Sequence, residues 1–425
     1  MLYSGLAIVT THPIQYNAPF FRKIAESGKV DLKVFYTWNK GAGEKHDPGF
    51  GKKVEWDIPL LEGYKYTFVK NISKNPGSHH HSGIICPTLI SELETFAPKA
   101  ILFYGWHFHA HLNAMKYFKG KIPVWFRGDS TLLDYDFRTW KDIWKAFTSA
   151  FIFQLPASSF RLSTFRSFLS FNLRKLYLTR VYRNIDIAFY VGKNNKVYFE
   201  EHGLKEHQLI YLPHTVDAEF FGKDSEIKES QALAWRKELL LTSDDFTIIF
   251  AGKLDPVKNI NLLLTAIIDL NKQLEIREKS LIHLIIVGNG MLENELKNLS
   301  STKTYVHFIP FQNQSKMPIV YRLGNVFCLP SISETWGLVI NEAMCSGRPV
   351  IASDKAGGAI DLIAPGETGF LFKSGNLLDL KQKILFSRKN FSNGKPFGIK
   401  ERINLHFHLD TNVKILLNSL SGNKN

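Results

Sequence analysis

The stretch of residues 329–372, LPSISETWGLVINEAMCSGRPVIASDKAGGAIDLIAPGETGFLF, decides the fold. Its first residue ends a short apolar run, 325–329, which predicts a strand. Apolar residues at helical spacing then predict a helix from about Gly337, and the turn residues 347–349 end that helix before a second apolar strand, 350–352. Strand, helix and strand in this order make one unit of a parallel sheet, so the stretch predicts an α/β fold.

Two carboxylates lie near the start of the predicted helix. Glu334 precedes it, and Glu342 lies about two turns along it. In such units ligands bind beyond the carboxyl ends of the strands, where free N–H groups at a helix N-terminus attract anions. Carboxylates bind phosphate poorly but accept hydrogen bonds from the vicinal hydroxyls of a sugar or a ribose, while the amides of Trp336, Gly337 and Leu338 can bind phosphate. The residues therefore indicate a sugar nucleotide as the ligand.

The order of motifs in this stretch resembles the C-terminal donor-binding signature of the family 4 retaining glycosyltransferases, which have the GT-B fold. The matching features are Glu334 and Glu342 with seven residues between them, the turn Ser346-Gly347, the strand Pro349-Val350-Ile351-Ala352-Ser353, Gly357-Gly358 and Gly366-Glu367-Thr368-Gly369. The resemblance implies two Rossmann-like, doubly wound α/β domains that face a central cleft. It places an acceptor-side domain at 1–213, a nucleotide-sugar-binding domain at 214–395, and a helical segment at 396–425 that returns to the first domain.

A second motif of the resemblance follows the apolar strand predicted at 246–250. In AGKLDPVK, residues 251–258, Lys253 and Lys258 are five positions apart and can bracket a diphosphate. The family usually has arginine at the first of these positions, so Lys253 supplies the charge without the bidentate fork of a guanidinium. Gly252, and Gly288 at the end of another apolar run, complete the predicted nucleotide site.

The loop after the first predicted strand carries polar side chains. In GT-B enzymes this loop faces the cleft and is often rich in glycine, whereas here it contains His12, Gln15 and Tyr16, which are candidates for the acceptor side. For His12, a role at the entry of the next helix, bonded to the backbone, stays open. Residues 37–82 are rich in glycine, lysine and aromatic residues, which predicts a long excursion on the active-site side rather than core.

Two further positions depart from the family pattern. At the end of the strand predicted at 122–126, many family members have a His-Asp or His-Thr pair near the donor sugar, but this sequence has Arg127-Gly128-Asp129 and no histidine. Arg127 is therefore an acceptor-side candidate and Asp129 a catalytic candidate. The predicted crossing between the domains, residues 213–217, has His214 and Thr215 where the family more often has Asn and Gly.

Histidines and aspartates cluster in three places in the first half of the chain. The histidines at 79–81 are consecutive, so they cannot all face one ion without an irregular loop. His107, His109 and His111 are predicted to fall in a loop and the first turn of a helix, which leaves metal binding as a minority alternative. The Asp-x-Asp triplet at 134–136 lies outside a strand end. We therefore expect no metal and no cofactor, and the nucleotide diphosphate sugar is expected as a substrate.

The composition is typical of a globular protein with two domains. A chain of 425 residues suits two cores of about 200 residues each. No apolar run approaches the roughly 18 residues that a membrane span requires, and the apolar residues 5–10 predict a buried strand rather than a signal peptide. Cys86, Cys328 and Cys345 lie in apolar or small-residue surroundings without metal-ligand spacing, as expected of reduced thiols in a cytoplasmic protein.

Positive charge is concentrated in the first half of the chain. The net charge is +14, of which residues 1–213 carry +11 (28 Lys and Arg against 17 Asp and Glu) and residues 214–425 carry +3 (25 against 22). Residues 143–185 contain seven Lys or Arg, no acid, and eight Phe or Trp: Trp144, Phe147, Phe151, Phe153, Phe160, Phe165, Phe168 and Phe171. Such a segment is typical of a helix in an anionic membrane interface, and equally of a buried helix pair with a basic outer face. Nucleic acid is not expected as a partner, because no recognition motif accompanies the charge.

The resemblance implies transfer of a sugar from a nucleotide diphosphate sugar to a glycan or lipid-linked acceptor, with retention of configuration and without a metal. The expected setting is synthesis of cell-surface polysaccharide or glycolipid, in the cytoplasm or peripherally on the inner face of the cell membrane. The catalytic candidates are Lys253, Lys258, Glu334 and Asp129. A sugar-nucleotide epimerase with the same fold, and a non-catalytic protein that binds glycan or membrane, are the alternatives.

Overall fold

The computed structural model of the protein describes residues 3–39, 45–47, 52–135, 157–242, 244–276, 280–392, 399, 402–403 and 407–422. The strands are β1 (Tyr3–Thr10), β2 (Val30–Tyr36), β3 (Lys45–Asp47), β4 (Lys52–Val54), β5 (Lys65–Phe68), β6 (Ala100–Tyr104), β7 (Val124–Arg127), β8 (Ile187–Tyr190), β9 (Leu209–Tyr211), β10 (Phe246–Ala251), β11 (Ile282–Val287), β12 (Val306–Ile309), β13 (Val326–Leu329), β14 (Val350–Ser353) and β15 (Gly369–Phe372).

The α-helices follow the strands in the alternation that the sequence predicts. They are α1 (Ala18–Glu26), α2 (Leu89–Phe96), α3 (His109–Phe118), α4 (Ala157–Tyr182), α5 (Lys193–Glu201), α6 (Ala218–Gly222), α7 (Ser225–Glu238), α8 (Ile260–Ile276), α9 (Glu293–Leu299), α10 (Met317–Arg322), α11 (Leu338–Cys345), α12 (Ala359–Leu362), α13 (Leu377–Phe391) and α14 (Leu409–Ser421). Strand β13, helix α11 and strand β14 form the unit predicted from residues 325–352, with bounds that differ by one residue.

The first sheet is parallel and has the order β5-β2-β1-β6-β7-β8-β9. Strand β1 is central, and residues 6–9 of it are fully buried, as expected of a strand covered on both faces. The strand order reverses between β1 and β6, so the loop of residues 11–17 leaves the sheet at a topological switch point. Strand β5 pairs with β2 at the edge of this sheet. Residues 65–68 thus form an edge strand within the stretch predicted to lie outside the core, but they are exposed or half-buried. The prediction was wrong for Trp38 and Val69, which are buried in the core of the first domain.

The second sheet is also parallel and has the order β12-β11-β10-β13-β14-β15. Its switch point lies between β10 and β13. The loops after these two adjacent strands carry the predicted residues 252–258 and 334–337. Ligands of open α/β sheets bind at this place, so the topology brings the two motifs of the sequence together.

Helix α14 crosses back to the first sheet. Its residues Leu409, Val413, Leu416 and Leu417 are buried in the same hydrophobic cluster as Leu6 and Ile8 of β1. Asn412 on this helix donates a hydrogen bond of 2.8 Å to the carbonyl of Pro213 in the crossing between the sheets. Helix α14 therefore packs on the domain where the chain begins, whereas Ile399, Ile403 and Phe407 of the same segment are buried in the second domain.

Helix α4 covers the described part of the basic, aromatic segment at 143–185; residues 143–156 lie outside the described residues. Phe171, Leu178, Val181 and Tyr182 of this helix are buried in the first domain. Among the described residues, no helix has the length and the apolar composition that crossing a bilayer would require. All three cysteines are buried free thiols, as predicted.

Candidate active site

Two glycines form the floor of a pocket between the domains. Gly252 and Gly288 follow the adjacent strands β10 and β11 directly. A Cβ atom placed on Gly288 would lie 1.9 Å from the carbonyl oxygen of Gly252, and the backbone of Gly288 has φ +135°, so no side chain fits there. The two backbones therefore approach each other closely and leave a flat surface open to a ligand.

The carboxylate of Glu342 is buried beside this floor. Only 2% of the residue is exposed. The hydroxyl of Tyr321 donates to its Oε2 at 2.6 Å, and Nε2 of Gln314 donates to its Oε1 at 3.0 Å. Burial raises the pKa of Glu342 from 4.5 to about 7, although both hydrogen bonds act to lower it. A buried carboxyl with a raised pKa in a cleft is a feature of functional sites, because it costs stability without improving the core.

Tyr16 of the first domain lines the same pocket as this carboxylate. Burial raises the pKa of its phenol well above the ordinary value, and the negative charge of Glu342 raises it further, while a hydrogen bond with Gln15 opposes the shift. The charge of Glu334 also acts on it. The loop at the switch point of the first sheet thus faces both glutamates of the second domain, and the structure places Gln15 and Tyr16 in the cleft.

Lys258 and Glu334 form an ion pair at the switch point of the second sheet. Nζ of Lys258 is hydrogen-bonded to Oε2 of Glu334, and about a fifth of each side chain is exposed. The turn that carries Lys258 is fixed because its backbone N–H donates to the Asp255 carboxylate at 3.1 Å. The two loops are joined directly, since the N–H of Ile332 donates to the carbonyl of Val257 at 2.9 Å. Lys253 lies half-buried next to Gly252, two residues past β10.

The residues predicted to bind phosphate through their amides lie at the start of α11. Gly337 precedes the first helical residue, Leu338, and has φ +90°, a left-handed conformation that favours glycine. The ring of Trp336 is buried, and its Nε1 donates to Oδ1 of Asn341 at 2.9 Å. The side chain of Trp336 therefore packs between the domains, while the predicted role of its amide stays a prediction.

A pocket of about 470 Å³ joins several of these groups. Its lining residues come from both domains: Tyr16, Trp56, Ala251, Gly252, Val287, Gly288, Phe311, Gln312, Gln314, Met317, Tyr321, Val339 and Glu342. A second cavity of about 620 Å³ lies on the other side of Tyr16 and Gln314, between α1 and the crossing into the second domain.

Asp129 lies across the cleft from the loop that carries Glu334. Its Oδ2 accepts a hydrogen bond of 3.2 Å from the hydroxyl of Thr335. Nε2 of His214, in the crossing, lies 3.7 Å from the same oxygen. Burial lowers the pKa of His214, and the Asp129 carboxylate opposes that shift. Asp129 of the first domain thus meets the imidazole of the crossing and the hydroxyl of Thr335 at this end of the cleft.

Two predicted acceptor-side residues lie elsewhere. Arg127 is buried, and its Nη2 donates to the carbonyl of Pro213 at 2.9 Å, so it supports the crossing rather than lining either cavity. His12 is paired with the hydroxyl of Thr11 at 2.9 Å, and its ring meets the edge of Trp38 with centroids 5.4 Å apart. Neither Arg127 nor His12 is among the residues that line the two cavities.

The histidines at 107, 109 and 111 do not converge on one point. Both ring nitrogens of His111 are occupied, Nε2 by the hydroxyl of Thr37 and Nδ1 by the carbonyl of Gly105, each at 2.9 Å. Burial lowers the pKa of His111 to about 4, so it is a neutral core residue. Within the described ranges, no group of three or more His, Cys, Asp or Glu side chains is arranged to hold a metal ion.

Sequence reasoning missed four residues of the site: Trp56, Gln314, Tyr321 and, as a partner of Asp129, His214. Trp56 and Gln314 lie in segments without a motif, and Tyr321 lies on the short helix α10, whose apolar residues indicate only core. His214 was visible as a departure from the family pattern, but its partner was not.

Comparisons with known proteins agree with this architecture. Residues 232–390 match the family described as glycosyl transferases group 1. The sulfoquinovosyl transferase SQD2 of Arabidopsis thaliana is 34% identical over 140 residues, which are 32% of this chain and 25% of that protein. The D-inositol 3-phosphate glycosyltransferase of Kribbella flavida is 30% identical over 177 residues, 39% of this chain and 42% of that protein. The chain thus spans less than half the length of these two relatives.

A crystal structure of Anabaena HepE in complex with UDP has a TM-score of 0.65 to this protein at 15% identity, and the match covers 98% of this chain and 100% of that one. This likeness and the two parallel sheets confirm the predicted fold class: the protein has the GT-B fold, with two Rossmann-like domains that face a cleft. The match to glycosyl transferases group 1 lies in the second domain, where the sequence motifs lie.

Glu342→Gln is expected to change how stability depends on pH. Because the pKa of Glu342 rises from 4.5 to about 7 on folding, its contribution to stability is fully present below about pH 4.5 and is lost as pH rises through 7. At about 1.4 kcal/mol per pH unit, this loss amounts to roughly 3 kcal/mol. Glutamine cannot ionise, so the variant should be more stable than the wild type at pH 8 and nearly equal to it at pH 5, as measured by urea unfolding.

The matched control for this experiment is Glu367→Gln, which alters an exposed carboxylate of the same domain. It should leave the wild-type pH profile unchanged. An equal difference between Glu342→Gln and wild type at both pH values would show that Glu342 does not have the raised pKa.

Proposed function

We propose that the protein is a retaining glycosyltransferase that moves a sugar from a nucleotide diphosphate sugar to a glycan or lipid-linked acceptor. The observation that carries the proposal is the buried Glu342 carboxylate beside a glycine floor, with the Lys258–Glu334 ion pair on the adjacent strand end. The match of residues 232–390 to glycosyl transferases group 1, and the UDP bound to HepE, support a nucleotide sugar as the donor.

In the proposed complex, the donor lies along the carboxyl ends of the strands of the second sheet, and the strand order gives its direction. Glu342 accepts hydrogen bonds from the two ribose hydroxyls, replacing Tyr321 or Gln314 as partner. The phosphates then lie toward β10 and β13, near Lys253, Lys258 and the amides of residues 336–338. The base lies toward β11 and β12, in the part of the pocket lined by Gly288 and Phe311.

The proposed reaction proceeds on one face of the donor sugar. The bond between the anomeric carbon and the phosphate oxygen breaks, the acceptor oxygen bonds to that carbon from the same side, and the departing phosphate takes the acceptor's proton. Lys258 leaves its partner Glu334 to stabilise the charge on the phosphate, and Glu334 becomes an acceptor for sugar hydroxyls. Asp129 and Tyr16 contact the sugar from the first domain. The phosphate charge is met by lysines and amides, so we propose that no metal is needed.

The function is tested by incubating the protein with UDP-, GDP- and ADP-sugars, with and without a mixture of glycan and glycolipid acceptors, in the presence of EDTA. Product that requires an acceptor and keeps the anomeric configuration of the donor supports the proposal. A changed nucleotide sugar formed without any acceptor would instead support a sugar-nucleotide epimerase. Binding of glycan or vesicles without turnover of any donor would support the non-catalytic alternative.

Lys258→Ala is expected to lower kcat by about 100- to 1000-fold, because removing one group that stabilises developing negative charge costs roughly 3–4 kcal/mol in the transition state. Its effect on folding should be small, since the side chain is partly exposed and its ion pair is accessible to solvent. Initial rates and thermal unfolding of the variant measure the two effects separately.

The control is Lys297→Ala, which removes a lysine from an exposed ion pair with Glu293 in the same domain. It should retain the wild-type rate. A wild-type rate for Lys258→Ala, or a variant that simply fails to fold, would exclude the catalytic role of Lys258.

We further propose that the first domain docks on an anionic membrane, where a lipid-linked acceptor would be presented. The support is helix α4, on which Leu169, Leu173, Leu176 and Tyr177 are each 46–59% exposed. Their spacing of four, three and one residues puts them on one face of the helix. The exposed Arg180 and Arg183 lie along or just beyond this face, where they can reach phosphate head groups while the leucines enter the interface.

Vesicle flotation tests the membrane contact. Wild-type protein should float with anionic vesicles at low ionic strength, float less at high ionic strength, and stay behind with neutral vesicles, because each basic residue contributes roughly 1 kcal/mol of attraction that salt screens. The variant Leu173→Asn/Leu176→Asn should lose flotation.

The matched control for flotation is Ile227→Asn/Leu233→Asn, which alters two exposed apolar residues on helix α7 of the second domain. It should float like the wild type. Failure of the wild type to float under all conditions would reject the membrane contact.

A further inference from the structure

Residues 55–57 of the first domain reach across the cleft to residues 311–315 of the second domain; we call these two segments the clasp. Nδ2 of Asn313 donates to the carbonyl of Glu55 at 2.6 Å. The carboxylate of Asp57 accepts a hydrogen bond from the N–H of Ser315 at 3.1 Å and another from the Ser315 hydroxyl. The clasp therefore holds the domains together on the β12 side of the pocket.

Trp56 lies between these polar contacts and faces the pocket. Its ring meets that of Phe311 at 61°, with centroids 6.4 Å apart. It lines the 470 Å³ pocket together with Gly252 and Gly288, so a planar ligand on the glycine floor would have the indole as a wall. Apart from Tyr16, the other lining residues of this pocket belong to the second domain. The pocket is thus completed from the first domain only when the clasp is formed.

The position of Trp56 in the pocket determines which part of a bound nucleotide lies next to its ring. Phe311 follows β12, at the edge of the sheet, while Lys258 and Glu334 follow β10 and β13. A nucleotide whose ribose is held at Glu342 and whose phosphates point to Lys258 must place its base toward β11 and β12. Apolar side chains of Ala251, Val287, Met317 and Val339 surround the same space, which suits a flat heteroaromatic ring rather than a sugar.

We propose that Trp56 is the first-domain wall of the nucleobase site, and that Asp57, through Ser315, is the positioning residue that holds it there. This inference rests on the proposed nucleotide-sugar donor. Stacking of a base on an aromatic ring contributes measurably to binding affinity, because alanine substitution of such a ring weakens binding roughly 5- to 150-fold per base. Binding of the base then favours the closed arrangement of the two domains.

A purely structural role for Trp56 makes a different prediction. If Trp56 served only to hold the domains together, its loss would weaken every ligand of the cleft alike, including one without a base. If Trp56 contacts the base, its removal weakens the binding only of ligands that carry a base. Comparison of a nucleoside diphosphate with inorganic pyrophosphate separates the two roles, since pyrophosphate uses only the phosphate part of the site.

The experiment titrates wild type, Trp56→Ala, Trp56→Phe and Asp57→Ala by calorimetry. The ligands are inorganic pyrophosphate and whichever of UDP, GDP and ADP the wild type binds most tightly. Tyr117→Ala is the control, because it removes an exposed aromatic ring on α3 of the first domain, away from the pocket. Trp56→Ala should weaken the nucleoside diphosphate about tenfold and leave pyrophosphate unchanged, and Trp56→Phe should retain most of the affinity. Asp57→Ala should show a smaller loss with the same dependence on the base.

Each other outcome has a defined meaning. Equal affinity of Trp56→Ala and wild type for the nucleoside diphosphate, or equal losses for nucleoside diphosphate and pyrophosphate, would overturn the inference while the proposed donor stands. Wild-type protein that binds none of the three nucleoside diphosphates would overturn both. A loss in Tyr117→Ala as large as that in Trp56→Ala would also overturn the inference, because the effect would not be specific to the pocket.

Discussion

The burial of one carboxylate, that of Glu342, is the constraint on which the cleft depends. An ionised carboxyl in an apolar interior is costly unless its oxygens accept hydrogen bonds, and here Tyr321 and Gln314 supply one bond to each oxygen. Even so, burial raises its pKa to about 7. An apolar residue at this position would avoid that cost, and the proposed function accounts for the carboxylate as an acceptor for the hydroxyl groups of a ligand.

The rest of the site follows from two sheets whose switch points face each other. In the second sheet, the reversal between β10 and β13 places Lys258 beside Glu334. In the first sheet, the reversal between β1 and β6 directs the loop with Tyr16 toward the same carboxylates. Each domain alone offers half of a site. Contacts on both sides of the cleft, Asp57 with Ser315 and Asp129 with Thr335, then hold the halves together.

The sequence was sufficient to predict the elements that local patterns specify. The strand, helix and strand around residues 325–352 were predictable because apolar runs, helical spacing and a Gly-Arg-Pro stop agree with one another. That Lys258 and Glu334 lie at the same edge of the sheet followed from their places after strands, whereas the ion pair between them was not predicted. The partners of Glu342 could not be predicted, because Tyr321 and Gln314 meet it only through tertiary packing. The same holds for Trp56, since a segment without periodicity gives no indication of what it will contact.

The two positions that depart from the family pattern also show that sequence does not predict tertiary contacts. Arg127 was a site candidate by its position at a strand end, yet it is buried and bonded to the carbonyl of Pro213, because the crossing of the chain passes over that end of the sheet. His214, noted only as an unusual residue of the crossing, lies 3.7 Å from Asp129. Position along a strand predicts which end of the sheet a residue occupies, but the chain passing over that end decides whether the residue reaches the cleft.

The most direct test of this account compares ribose with deoxyribose at Glu342. The wild type and Glu342→Ala are titrated with UDP, GDP and ADP and with their 2′-deoxy counterparts. If the Glu342 carboxylate binds the ribose hydroxyls, the wild type should prefer the ribonucleotide by about 10- to 150-fold, because a charge-assisted hydrogen bond contributes roughly 1.5–3 kcal/mol. The variant Glu342→Ala should bind both forms equally. An undiminished preference for the ribonucleotide in Glu342→Ala would contradict the account.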